Sequence, residues 1–359
     1  MISLPLYLDY IGVSLVGMGL VFALAPLIFP VLRVLIGAHS DMVGRKGYFT
    51  SSFGIVSVAY LFYSLCRNVI GFTVLNILDY VSQAMRESVS IPLIIDVTST
   101  KERGRMLGRY VGLYCGALSF GMLISGLLIL SIGYFWLFIF CFILSAVGLV
   151  TSLLLKDVPF TKRLSSINFR KVLDVTRLNR NLKALLVANA FQGFGYGVAE
   201  VYILPLFLQS SLKADQSFIG LIISLGWLGS VIPAFSIGRL FDNYSSKRLY
   251  VLSSILSALF VSLISAATNS IHVGVLYGLF GVMLGILTPA RLKIAADHAT
   301  TSERARDIAL SEMGVGLGTM FGAALSGWVA SFFGMRLTFI LDGLSFISMV
   351  LIAQLLISE

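Results

Sequence analysis

Polar and charged residues are scarce in this chain, so those placed inside its apolar runs stand out. Between 69 and 97, Asn76, Asp79, Gln83, Arg86, Glu87 and Ser90 follow one another at intervals of 3, 4, 3, 1 and 3. On a helix this spacing gathers them on one face, a stripe of about 21 Å at 1.5 Å per residue. Between 183 and 209, Asn189, Gln192, Tyr196 and Glu200 repeat the idea at intervals of 3, 4 and 4. A charge facing hydrocarbon costs several kcal/mol, so each face must line water, a polar ligand or a partner. Asp79, Glu87 and Glu200 are candidates for proton uptake, since a low dielectric favours the neutral carboxyl. Arg86 could hold an anionic group or neutralise a carboxylate. The competing reading is a static pair, Asp79 or Glu87 with Arg86 or Glu200, that only joins two parts of the molecule.

The surroundings of these stripes define the class of protein. The chain has 359 residues, 57% hydrophobic and 12% charged, too little polar surface for a soluble domain of this size. Apolar runs of membrane-spanning length recur throughout, at 12–36, 47–66, 69–97, 106–129, 134–155, 183–209, 217–237, 249–268, 272–295, 307–330 and 336–357. The expectation is an all-α polytopic membrane protein with eleven full spans. The runs are continuous rather than alternating, which excludes a barrel. The net charge of +9 does not imply nucleic acid as partner, because all but five of the 26 Lys and Arg fall in alternate loops. By the positive-inside rule those loops are cytoplasmic. Cys66, Cys115 and Cys141, and His39, His272 and His298, have no metal-binding spacing, and the three histidines read as solvated. No phosphate-binding Gly-x4-Gly-Lys-Ser/Thr motif and no nucleophile–base constellation occurs, so neither an ATP-driven pump nor an enzyme is expected. No secretory signal opens the chain.

The chain reads as a parallel repeat. GAHSDMVGRKGYF at 37–49 corresponds to GRLFDNYSSKRLY at 238–250, pairing Gly37 with Gly238, Asp41 with Asp242 and Lys46 with Lys247 at an offset of 201. The same offset pairs Asp96 with Asp297, Arg103 with Arg304, Gly121 with Gly322 and Gly133 with Gly334. LPLYL at 4–8 matches LPLFL at 204–208, but only the second is preceded by an apolar span. The first repeat therefore shows almost none of its first helix, and a start upstream of Met1 is the favoured reading over a bundle with a gap.

Gly37, Asp41, Gly44, Arg45 and Lys46 match G-x-x-x-D-x-x-G-R-K, and on this motif, placed between two spans on the positive side, the chain resembles the major facilitator superfamily. The resemblance covers the whole chain except the missing helix and implies two parallel-repeat six-helix bundles. It also implies that 12–36 is helix 2 and 336–357 is helix 12. The glycines suit a tight turn, and Asp41 suits a helix N-terminus. In the family that terminus opens helix 11, here around Arg306–Ala309, and Arg45 meets a carboxylate at the inner end of helix 4, which Asp96 fits. Together they resemble an inner latch. The second copy keeps Gly238, Asp242, Lys247 and Asp297 but has Ser245 and Ser246 in place of Gly and Arg, so a weaker latch is expected there. Helices 1, 4, 7 and 10 line the family's cavity, and the two polar stripes fall on two of them. Gly112 and Gly116 on helix 5, and Gly314, Gly318 and Gly322 on helix 11, form small-residue faces where the family's two halves meet. Gly121-Met122 lacks the proline of many exporters. Glu312 and Asp342 are expected to pair locally, and Thr288, Arg291 and Lys293 cluster at the inner end of helix 10.

The resulting expectation is an N-terminal bundle at 1–155, a basic cytoplasmic linker at 156–182 and a C-terminal bundle at 183–359. Within the linker, Phe169, Val172, Leu173 and Leu178 would form an amphipathic face on the membrane, touching anionic lipid. The expected function is secondary transport of a small organic solute, as a monomer in the plasma membrane, driven by a proton gradient without a bound cofactor or metal. Efflux is favoured over import of a sugar or organic acid, with a non-transporting receptor or scaffold as the alternative from another class.

Overall fold

The computed structural model describes residues 3–98, 103–155, 174–235, 241, 243–300 and 304–357. Among the described residues there is no strand. A short α1 (Ser3–Tyr10) precedes α2 (Leu15–Val43), α3 (Lys46–Tyr63), α4 (Val69–Val97) and α5 (Arg103–Leu153). After the linker come α6 (Arg180–Ser211), α7 (Gln216–Val231), α8 (Ser246–Ile264), α9 (Ser270–His298), α10 (Arg304–Phe333) and α11 (Met335–Leu356). Helix α5 bends at Gly133 (φ 80°), so its two arms correspond to two of the expected spans. Among the described residues, seven helical stretches are long and apolar enough to cross a membrane. Helices α3 and α4 reach the length but are diluted by polar residues, and α7 is apolar but has 16 residues. The chain is an integral, multi-pass membrane protein.

The repeat is visible in local chemistry. Helices α4 and α9 are 29 residues each, and their bounds differ by the offset of 201. Asn68 caps α4 by accepting from Gly71 N at 2.6 Å, and Asn269 caps α9 by accepting from His272 N at 2.9 Å. An Asn at this position satisfies one of the donors that every helix start leaves over. Gly133 and Gly334 both break the chain at positive φ, 80° and 86°, where a side chain would strain the backbone.

Packing joins α2 with α4, α3 with α4 and α5, and, in the second set, α6 with α10 and α11, α8 with α9 and α11, and α9 with α7. The sets are tied together mainly by α2 with α10 and α5 with α7, and α1 also touches α6. These contacts are concentrated at the end of the molecule opposite Gly44. There Tyr202 Oη donates to the carbonyls of Leu15 and Ala323, both at 3.3 Å. On the other side Ser119 Oγ donates to Ser224 O at 3.1 Å. One turn further toward the Gly44 end, on the same face of α5, a Cβ on Gly116 would meet nothing within 4 Å. Leu228, one turn beyond Ser224 on α7, is 45% exposed. Among the described residues, the two sets meet at the end opposite Gly44.

Gly314, Gly318 and Gly322 do not form the expected face between the halves. A Cβ at each would strike the carbonyls of Leu186, Ala190 and Phe194 respectively, all on α6 of the same set. The α10 glycines that meet α2 are Gly316, against Pro26 and Pro30, and Gly327, against Leu15 and Val16.

Candidate functional site

The α4 stripe is divided between two neighbours. Ser82 and Arg86 turn to α3: Ser82 Oγ donates to Ser52 O at 3.0 Å, and the Arg86 guanidinium lies over the Phe53 ring at 5.6 Å. Asp79 is on this side too, in Coulombic reach of Arg86 and of Tyr60 and Tyr63 on α3. Gln83 and Glu87 turn toward α2 and α5. Gln83 Nε2 donates to Glu87 Oε1 at 2.8 Å, and Tyr114 Oη reaches the same oxygen at 3.5 Å. Arg33 of α2 pairs with Glu87 at 3.7 Å, with its side chain half exposed. Asn76 is buried, and its Oδ1 has no hydrogen-bond partner. Arg33 lies inside the 12–36 span and was not among the expected site residues. Its isolation there was the available signal for a partner, and Glu87 pairs with Arg33 and not with Arg86.

The α6 stripe is tied into a tighter network. Asn189 is fully buried and its Nδ2 donates to Ser311 O at 2.8 Å and Glu312 Oε1 at 3.3 Å. Arg291 of α9 pairs with Glu312 Oε2 at 2.8 Å and donates to Gln192 Oε1. Three helices are thus clamped by four side chains. Above them α6 changes to a π turn over Tyr196–Glu200, a distortion that re-aims side chains and is common at functional sites. Glu200 Oε2 accepts from Tyr277 Oη of α9 at 3.0 Å. Tyr196 is 42% exposed and stands in Coulombic reach of Tyr80 on α4. Tyr80 adjoins the α4 stripe without belonging to it, and the stripe residues themselves turn to α2, α3 and α5. Glu312 pairs locally, as expected, but Asp342 does not: both carboxyl oxygens are buried without a hydrogen-bond partner.

Several expectations need correction. Arg291, expected with Thr288 and Lys293 as a basic cluster at the inner end of helix 10, is 7% exposed, and its charge is taken up by Glu312. The stretch 37–46 is not a loop: α2 continues through Val43, because nothing in it interrupts the backbone ladder before Gly44. Gly44 (φ 101°) ends the helix, donating from N to Ser40 O at 3.0 Å, while Gly37 is helical. Arg45 and Lys46 open α3. The side chains of Asp41, Asp96 and Arg306 lie outside the described residues, and so does the expected latch between them. Gly238 and Asp242 lie outside them as well. Lys247 Nζ donates to Ile357 O at 2.6 Å, at the end of α11, and Asp297 is exposed near the end of α9. His39 is not merely solvated, since Nδ1 lies 2.6 Å from Tyr48 Oη. Of the proposed amphipathic face, Phe169, Val172 and Leu173 lie outside the described residues, and Leu178 is buried against protein.

Comparison with known proteins gives this arrangement a context. The sequence profile described as Major Facilitator Superfamily matches residues 1–202 and 185–359. The chain is 22% identical over 340 residues to an uncharacterized MFS-type transporter of Methanocaldococcus jannaschii, covering 92% of this chain and 86% of that protein. It is 23% identical over 347 residues to the multidrug resistance protein MdtG of Klebsiella pneumoniae, covering 94% and 84%. Its fold is similar to the crystal structure of the nucleoside transporter NupG (D323A mutant), with a TM-score of 0.82 and 14% identity, covering 99% of this chain and 94% of that one.

Proposed function

Because the chain belongs to the major facilitator superfamily, a family of transporters and not of enzymes, we propose that it moves a small organic solute across the plasma membrane by alternating access, coupled to protons. The observation that carries this reading is the pair of polar, charge-bearing clusters, one in each of two sets of helices that are joined at the end opposite Gly44. A solute held between them would contact both sets, and rocking about the junction would expose it to either side. The excess of Lys and Arg on the Gly44 side supports a cytoplasmic position for that side. Export is supported by the likeness to a multidrug resistance protein. The chain acts as a monomer, and 156–182 tethers the sets on the cytoplasmic side.

The test is uptake into proteoliposomes containing the full chain, under an imposed pH gradient of either sign. Amphipathic cationic dyes, nucleosides, sugars and aromatic acids form the solute panel. Movement of one class that follows the gradient supports the reading, and its direction settles export against import. Asp41→Asn or Arg45→Ala is expected to slow transport without blocking membrane insertion. If no solute moves with either gradient, a receptor or scaffold role replaces transport.

A further inference from the structure

The face of α6 turned away from the polar stripe carries a chemistry of its own. Arg180, Lys183, Ala184 and Val187 follow one another at intervals of 3, 1 and 3, so they share one side of the helix. At about 100° per residue that side points away from Asn189, Gln192 and Tyr196. Beside the last turn of α11 it forms two adjoining recesses. One, of about 350 Å³, is lined by Arg180, Lys183, Ala184, Val187 and Leu356. The other, of about 190 Å³, shares Arg180 and Leu356 and adds Asn181, Leu355 and Ile357. Neither is lined by an Asp or Glu. Arg180 and Lys183 are both exposed, and Asp174, shortly before them, is engaged by Arg177 at 3.1 Å. The carbonyls left over at the end of α11 would repel an anion. Lys247 of α8 offsets this, donating from Nζ to Ile357 O at 2.6 Å.

Depth along the helix separates the charge from the apolar surface. Helix α6 runs from Arg180 to the contact of Tyr202 with Leu15, at the end opposite Gly44, so the recesses lie at the Gly44 end. From Arg180 to Val187 is about 10 Å along the axis. Val187, Phe191 one turn deeper, and Leu351 and Leu355 of α11 are all exposed. In a chain that spans the membrane these side chains meet acyl chains, while the two cations stand at headgroup level. A guanidinium fork matches two phosphate oxygens, and the Lys ammonium adds a point charge. Basic recesses between spans at this depth suit anionic headgroups. We propose that the recess between α6 and α11 binds the headgroup phosphate of an anionic phospholipid in the leaflet on the Gly44 side, with an acyl chain lying over Val187, Phe191 and Leu355. The lipid bridges the first and last helices of the second set. A water-borne anion fits less well, because it would leave the apolar strip below the cations uncovered. Anionic-lipid contact, expected of Phe169, Val172 and Leu173 in the linker, is thus assigned a site on α6 and α11. The inference needs only the membrane placement of the chain and stands apart from the transport reading.

The experiment is native mass spectrometry of the full chain in detergent, titrated with dioleoyl phosphatidylglycerol or dioleoyl phosphatidylcholine. The two lipids share their acyl chains and differ in headgroup charge. The expected result is tighter binding of phosphatidylglycerol, weakened about tenfold in the double variant Arg180→Gln with Lys183→Gln, and phosphatidylcholine binding that does not change. Removing two cations from the opposite end of the molecule, by Arg67→Gln with Lys213→Gln, should leave phosphatidylglycerol binding as in the parent. Both cations of the recess are exposed, so without added lipid the first double variant should unfold at the parent's temperature. A parent that binds the two lipids equally overturns the proposal without any variant. Equal loss of binding in the two double variants overturns it as well, because net charge and not the recess then governs binding. Displacement of bound phosphatidylglycerol by excess inorganic phosphate overturns the lipid assignment in favour of a free anion. No solute is present in the measurement, so its outcome is read separately from that of the transport assay.

Discussion

The two sets of helices share a scaffold and differ in chemistry. Asn68 and Asn269 cap equivalent helices, and Gly133 and Gly334 break the chain at equivalent places. Yet the positions 201 residues after Asp79, Arg86 and Glu87 are Phe280, Leu287 and Thr288. In the first set the ion pair is long, at 3.7 Å, and Arg33 is half exposed. In the second, Arg291 and Glu312 are 2.8 Å apart, and Arg291 is buried. Duplication preserved what folds a bundle, namely caps, breaks and helix lengths, and left the polar interior to diverge. One wall is adaptable and the other is clamped.

The largest effect should come from removing the clamp. Arg291→Ala leaves Glu312 and Gln192 without their common partner and should destabilise the protein by about 3 kcal/mol. Arg33→Ala should cost less than about 1 kcal/mol, because a half-exposed ion pair contributes little. Thermal unfolding in detergent checks both, and equal losses would erase the contrast. Next is helix approach. Gly318→Ala pushes a methyl group to 1.8 Å from Ala190 O, which overpacking places at about 1–3 kcal/mol. Gly116→Ala meets nothing within 4 Å and should stabilise by up to about 1 kcal/mol through the helix backbone alone. A loss at both positions would mean that the first set is as tightly closed as the second. The smallest effects test the shared scaffold: Asn68→Ala and Asn269→Ala should each cost about 1 kcal/mol. The same unfolding measurement would contradict a common scaffold if one cap mattered and the other did not.

Much of this was legible in sequence because it depends on spacing. The spans, the repeat register and both stripes follow from periods of 3.6 and from one fixed offset. What spacing does not report is which neighbour a polar side chain turns to. Arg86 and Glu87 are adjacent in sequence, so about 100° apart around a helix, and they face different partners. The π turn at Tyr196–Glu200 has no marker in residue type. The helical run through 37–43 was read as a loop because its glycine, histidine, serine and aspartate suit turns, whereas Gly44 alone stops the ladder. Asp342 seemed able to pair locally, and only the packing of α6 against it shows that no partner comes near.

The two prolines of α2 have a mechanical consequence. Pro30 has no N–H, so the carbonyl of Pro26 loses its partner one turn earlier in the helix. That same carbonyl faces Gly316 of α10, where a Cβ would come to 2.5 Å. The helix is therefore weakest lengthwise at the place where it bears on the opposite set, in the manner of a lever notched at its fulcrum. From Pro30 to Val43 is about 20 Å at 1.5 Å per residue. A tilt of about ten degrees at the notch thus swings the Gly44 end by about 3.5 Å, while the contact between Leu15 and Tyr202 at the far end is held in place.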